Sequence, residues 1–193
     1  MNRFYCFIVI LLSPLVRLVY PYRLHIEGEL PEGGAVICAN HSSYIDPGLI
    51  AVIFGPRNYL RFMGKIELFH IPFLGWFLRK LGAFPVDRSG GDIEALRTSI
   101  DVLKSGHKLM LFPEGTRVSS DDAVAAKTGA VRLAARHNVP IVPIFISRDK
   151  RPFHRFDICV GESYVLGKIP RNEYPAAAEQ LMERIAAMNP ERV

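Results

Sequence analysis

Lys108-Leu109-Met110-Leu111-Phe112-Pro113-Glu114-Gly115-Thr116-Arg117 reads as a strand running into a sharp, charged turn. Its first half is a short apolar run of strand length. Pro113 and Gly115 then force the chain to turn, because one fixes φ and the other admits conformations closed to most residues. Upstream, Ile93, Leu96, Ile100 and Leu103 recur every three or four residues. They predict one apolar helix face, capped by Ser89 or Asp92 and ended by Gly106. Downstream, Thr128 to His137 reads as a helix and Ile141 to Ile146 as a buried strand. Strands separated by helices imply an α/β domain with a largely parallel sheet.

The same alternation extends outward. Val36 to Ala39 predicts a buried strand, and Tyr59 to Met63, Phe84 to Val86 and Phe156 to Val160 predict three more. Asp46-Pro47 predicts a helix start, with Asp46 at the N-cap and Pro47 in the first turn. Ile71 to Leu81 reads as an aromatic-rich helix containing Trp76, and a last helix runs from about Tyr174 to Met188. No internal repeat, low-complexity tract or long linker interrupts the pattern. The expectation is a single α/β domain over residues 24–193, its largely parallel central sheet flanked by helices.

Residues 1–23 are different in kind. Phe4 to Val16 is almost wholly apolar, bracketed by Arg3 and Arg17 and interrupted by Pro14. A spanning helix needs about 20 apolar residues, and this run is shorter. No small-x-small cleavage site follows it. The segment therefore reads as a membrane-associating helix lying in the interface. Tyr20 and Tyr22 would sit near the headgroups, with Arg3, Arg17 and Arg23 on lipid phosphates. The competing reading is a buried amino-terminal helix.

Composition narrows the function classes. The chain has 193 residues, 49% of them hydrophobic, which sets aside a disordered or fibrous protein. A net charge of +5 suits an anionic partner. Nucleic acid is set aside because no helix-turn-helix, zinc-finger or RNP-type pattern is present. The three cysteines, Cys6, Cys38 and Cys159, are odd in number and far apart, which favours a reducing compartment over a disulfide framework.

Two segments carry chemistry. Asn40-His41-Ser42-Ser43-Tyr44-Ile45-Asp46 offers an imidazole base and a carboxylate five residues on. Such a spacing fails on a regular helix but works where a loop turns into one, letting the carboxylate fold back to the ring. The same residues also describe a polar loop whose carboxylate merely caps a helix. The turn at Glu114 offers Arg117 as a bidentate phosphate grip, and Glu114 to bond an acceptor hydroxyl or to fix the turn. Arg88 is a second candidate clamp, with Lys65 and Lys127 as further cations. The basic stretch Arg148 to Arg155 reads either as a headgroup contact or as a solvated loop. No Gly-x-Ser-x-Gly elbow, P-loop, dinucleotide fingerprint or His-Glu-x-x-His motif appears, and the remaining histidines lack metal-ligand spacing. A dyad that activates the substrate's own hydroxyl is the inference.

Four blocks in fixed order resemble the glycerolipid acyltransferase family, and within it the bacterial lysophosphatidic acid acyltransferases. They are Asn40 to Asp46, Gly82 to Arg88, Phe112 to Arg117 and Val139 to Pro143, and the resemblance covers about residues 24–165. It implies His41 as general base and Asp46 as its orienting partner. Glu114, Gly115 and Thr116 would help bind the glycerol acceptor, and Arg88, Arg117 and Lys65 its phosphate. The reaction implied moves a fatty acyl group from acyl-CoA or an acyl carrier protein to the sn-2 hydroxyl of lysophosphatidic acid, giving phosphatidic acid. It needs no metal and no cofactor beyond that co-substrate, and takes place at the cytoplasmic face of the cell membrane. Oxyanion donors are sought among backbone N–H groups near Gly115. Rival readings are another lysophospholipid or an amino-acid-linked lipid as acceptor, a non-catalytic lipid-binding protein, and a thioesterase. One departure from the family pattern is that Val118 to Ala126 lacks an aromatic before Lys127, which leaves the role of that lysine open.

Overall fold

The computed structural model describes residues 2–87, 92–118 and 125–192. Arg88 and Ser89 lie outside them. The elements in order are α1 (Arg3–Val19), β1 (Tyr22–Ile26), β2 (Ala35–Ala39), α2 (Asp46–Phe54), β3 (Leu60–Lys65), α3 (Ile66–His70) and α4 (Leu74–Leu81). There follow β4 (Phe84–Val86), α5 (Ile93–Lys104), β5 (Lys108–Leu111), α6 (Gly129–His137), β6 (Ile141–Ile146), β7 (Phe156–Val160) and α7 (Tyr174–Ala187).

Among the described residues the strands form one sheet in the order β1-β7-β6-β2-β5-β3-β4. Neighbours pair in parallel except β6 and β7, which are antiparallel. The fold class is thus α/β with a mostly parallel sheet, as expected. The central strands β2 and β6 are buried at every position, which is why each reads as an unbroken apolar run. One face packs Val36, Leu109 and Ile141 against α5, α6 and α7. The other packs Ile37, Met110 and Ile144 against Leu49, Ile50 and Phe54 of α2. From neighbouring β2 and β5 the chain departs to opposite faces, into α2 and into α6. In parallel sheets, ligand sites form beyond the carboxyl ends of two such strands.

Two local expectations are corrected, and the α5 cap falls on one of the two residues expected. The helix expected over 71–81 starts later, as α4 at Leu74: a separate α3 ends at His70, Ile71 is extended and Phe73 takes φ 61°. Pro72 excludes the helical conformation at Ile71 and so sets the break. The tight corner also needs Gly75, where an added Cβ would lie 2.2 Å from the Phe69 carbonyl oxygen. Asp92, with Ser89 as the other candidate, is the N-cap of α5, its carboxylate accepting the Ala95 N–H at 2.9 Å.

Tyr22 and Arg23 belong to the sheet rather than to a headgroup contact, because β1 begins at Tyr22 and pairs along β7. Arg23 reaches Asp157 with Nε at 2.8 Å and Nη2 at 2.7 Å, and His25 joins at 2.9 Å. Preceding β1, α1 is neither buried nor free. It packs on α2 and α4 through Tyr5 and Val9. Asn2 fixes its start, accepting the Tyr5 N–H and donating to the Lys80 carbonyl at 2.8 Å. Its other face leaves Phe7, Ile10, Leu11, Leu15 and Leu18 exposed. Among the described residues no helix is long and apolar enough to cross a membrane.

Candidate active site

Asn40 follows β2 directly and is buried. Its amide pairs with the backbone of Ile146 on the next strand, donating to the carbonyl and accepting the N–H, both at 2.8 Å. That clamp fixes where the following loop starts. Asp46, expected as an N-cap, is instead the first residue of α2, and its side chain turns backward. Oδ2 accepts the N–H groups of Ser42 and Ser43 at 2.8 Å each and Nδ1 of His41 at 2.9 Å. The loop thus wraps its own carboxylate, which is how five residues bring base and acid together. Asp46 is fully buried. Burial alone would push its carboxyl up. The hydrogen bond from His41, the Lys150 ammonium and the N–H groups of Ser43 and Ser42 outweigh it and hold the group below the ordinary carboxylate value. An ionised carboxylate only accepts, so Nδ1 of His41 carries the ring proton and Nε2 is left as the basic nitrogen. The ring stacks on Phe112, centroids 3.9 Å apart and planes 17° from parallel.

The turn after β5 is sewn to this loop through the backbone of His41. Glu114 Oε2 accepts the His41 N–H at 2.9 Å, and the Val118 N–H donates to the His41 carbonyl at 2.8 Å. Glu114 is 2% exposed, and Arg148 Nη2 stands 3.3 Å from its other oxygen. Burial pushes the Glu114 carboxyl above its ordinary value, against the His41 N–H and Arg148, which pull it down. Gly115 takes φ 69°, and Lys127 lies behind it, Cε 2.5 Å from where a Cβ would stand. The Gly115 N–H is engaged by the Phe112 carbonyl at 2.9 Å, so it is committed to the turn.

His41, Lys65, Thr116 and Arg117 line one hollow of about 520 Å³. Its remaining wall is mostly apolar and comes from α1 (Tyr5, Ile8, Val9, Leu12, Val16), α2 (Ala51, Val52) and α4 (Phe77, Leu78, Leu81). Arg117 lies over the exposed ring of Tyr44, 3.3 Å from its centroid. Lys65 pairs with Glu67 at 2.8 Å, both side chains more than half exposed. Glu114 and Gly115 are not among the lining residues, and Arg88 lies outside the described residues.

Sequence reasoning missed Arg148 and Lys150. The stretch read as a surface loop sends both inward from the end of β6. Arg148 donates to the Val118 carbonyl as well as facing Glu114. The Lys150 side chain is 2% exposed, with Nζ 2.6 Å from Ser42 Oγ, 2.8 Å from the Ser147 carbonyl and 3.1 Å from Asp46 Oδ1. That last oxygen accepts no well-angled hydrogen bond, so the ion pair is its partner. The usable signal was position: these cations follow a wholly buried strand at the sheet end where both motifs emerge.

Comparison with known proteins places the chain among acyltransferases. A 1-acyl-sn-glycerol-3-phosphate acyltransferase from Bacillus subtilis is 38% identical over 122 residues, covering 63% of this chain and 60% of the relative. A lyso-ornithine lipid O-acyltransferase from Pseudomonas aeruginosa is 27% identical over 177 residues, covering 89% of this chain and 67% of the relative. The chain therefore spans less than two thirds of the Bacillus relative's length. The crystal structure of a 1-acyl-sn-glycerophosphate acyltransferase from Thermotoga maritima shares the fold, with a TM-score of 0.66 over 95% of each chain at 20% identity. The acyltransferase family model matches residues 22–147, from β1 to the first residue beyond β6, and the chain belongs to that family.

Proposed function

We propose that this chain is an O-acyltransferase that moves a fatty acyl group from a thioester, acyl-CoA or acyl carrier protein, to the free sn-2 hydroxyl of lysophosphatidic acid. The observation that carries the reading is the His41–Asp46 pair, 2.9 Å apart, at an apolar hollow that also holds two cationic side chains. Nε2 of His41 takes the hydroxyl proton as the oxygen attacks the thioester carbonyl. The C–S bond then breaks, and the thiolate leaves with the proton returned by His41. Arg117 and Lys65 are assigned to the acceptor phosphate, with Arg88 as a third cation, and Thr116 to the glycerol. Gly115 shapes the turn that presents them. Glu114, whose two oxygens face His41 and Arg148, braces His41. The apolar wall accommodates an acyl chain. No metal or further cofactor enters this scheme.

Membrane association at the cytoplasmic face is part of the same reading. The exposed face of α1 adjoins a second apolar surface bearing Phe73 and Trp76, joined by edge-to-face packing of Phe4 on Trp76. In this reading α1 is the membrane-associating part, and the acyltransferase domain begins with β1 at Tyr22.

The test is transfer of labelled acyl groups from either donor to lysophosphatidic acid in lipid. His41→Ala should lose about 10²–10⁴-fold in rate while keeping its melting temperature. A folded His41→Ala variant with undiminished transfer refutes the base assignment. A second acceptor is favoured by one observation: the lyso-ornithine lipid enzyme aligns over 89% of this chain. Competition between the two lysolipids separates the readings.

A further inference from the structure

The side chain of Lys150 is buried, which a lysine rarely is unless its charge is paired, and no substrate is needed to explain its contacts. An ammonium has three N–H donors. Here two hydrogen-bond acceptors and one ion-pair partner surround it: Ser42 Oγ at 2.6 Å and the Ser147 carbonyl at 2.8 Å, with Asp46 Oδ1 at 3.1 Å. Ser42 also gives its own N–H to Asp46 Oδ2, so cation, serine and carboxylate form a closed ring. Asp46 thereby has one oxygen held by Lys150 and the other turned to His41.

We propose that Lys150 is a positioning residue for the His41–Asp46 pair, its ammonium pinning Asp46 Oδ1 so that Oδ2 stays directed at Nδ1 of His41 and Nε2 at the hollow. The proposal rests on His41 being the base. The other charged groups nearby do not substitute for Lys150. Arg148 and Glu114 face each other, and Asp149 pairs with Arg151 at the surface at 2.8 Å. Among the described residues Lys150 is therefore the cation that meets the fully buried Asp46. Burial lowers the affinity of Lys150 for its proton, and Asp46 restores part of it. The two charges depend on each other for their place in the interior.

Removing one positive charge beside the pair makes proton binding to that pair more favourable, whichever member takes the proton. The acid limb of the pH profile of kcat/KM reads this directly. In Lys150→Met the midpoint of that limb should move up by about one pH unit, with kcat down tenfold or more and KM for the lysolipid within twofold of wild type. Lys150→Arg keeps the charge and should return the limb to its wild-type position even if kcat stays reduced. Where Lys150→Met fails to fold, Lys150→Gln, which retains donors for Ser147 and Asp46, serves for the same reading. A folded, neutral variant whose acid limb does not move overturns the proposal. So does a shift that Lys150→Arg reproduces in full. His41→Ala in the same assay keeps the outcomes distinct. If it remains active, the base assignment fails and takes this proposal with it. If it is inactive while the Lys150 limb is unmoved, only this proposal fails.

Discussion

Glu114→Gln distinguishes a carboxylate that touches substrate from one that holds the protein together. In the structure Glu114 is 2% exposed, accepts the His41 N–H at 2.9 Å and faces Arg148 at 3.3 Å. Hydrogen bonds to a charged group contribute ~1.5–3 kcal/mol each. The glutamine retains an amide oxygen for His41, so that bond survives without its charge. The contact with Arg148 is lost, and Arg148, 24% exposed, can turn to water. The net expectation is a destabilisation of about 1–2 kcal/mol. With a urea slope of ~2 kcal/mol per molar, the midpoint falls by about 0.5–1 M. In lipid-detergent assays kcat should drop as His41 loses part of its anchor, while KM for the lysolipid stays within twofold. The pH dependence gives a second reading. Burial raises the Glu114 carboxyl above its ordinary 4.5, so its contribution is complete below 4.5 and is lost as pH rises through the folded value. Wild type should show that declining slope, and Glu114→Gln should not. A tenfold rise in KM with an unchanged urea midpoint would refute the reasoning, because the carboxylate would then be meeting substrate.

Two further outcomes follow from packing. Gly75→Ala places a methyl 2.2 Å from the Phe69 carbonyl, a backbone atom that cannot swing aside, and should destabilise by about 1–3 kcal/mol in thermal or urea unfolding. An unchanged melting curve would show that the α3–α4 corner yields to a methyl group and refute this packing argument. Replacing Phe7, Leu11 and Leu15 together by serine removes apolar groups that already face solvent. Melting should hold steady while co-sedimentation with anionic lipid vesicles falls at least tenfold, each side chain contributing ~1.5–3 kcal/mol when buried in lipid. Undiminished co-sedimentation sinks the interfacial role of α1.

Legibility in the sequence tracked how local each determinant is. β2 and β6 are covered on both faces and so carried continuous apolar runs that stand out in the chain. β1 did not: as an edge strand it is half exposed, and its mixed Tyr22-Arg23-Leu24-His25-Ile26 follows directly on an apolar helix that captured its first two residues. His41 and Asp46 lie five residues apart, so one loop reveals their partnership. The place of Glu114 depends on its lying beneath a backbone N–H 73 residues away. Lys150 contacts Ser42 across 108 residues, and a run of basic residues carries no mark of which ones turn inward.

The helix whose outer side bears Phe7, Leu11 and Leu15 lends its inner side, at Tyr5, Val9 and Leu12, to the wall of the hollow. On a bilayer, the chamber and the lipid phase would then be separated by the thickness of one helix. The concentration that governs turnover would be the mole fraction of lysolipid in the surface, not its molarity in the vessel. Diluting the lysolipid with inert lipid at constant total amount would slow the reaction, although nothing in solution had changed. A shortened chain lacking α1 would lose the anchor and the chamber wall together, so targeting and turnover could not be separated by truncation.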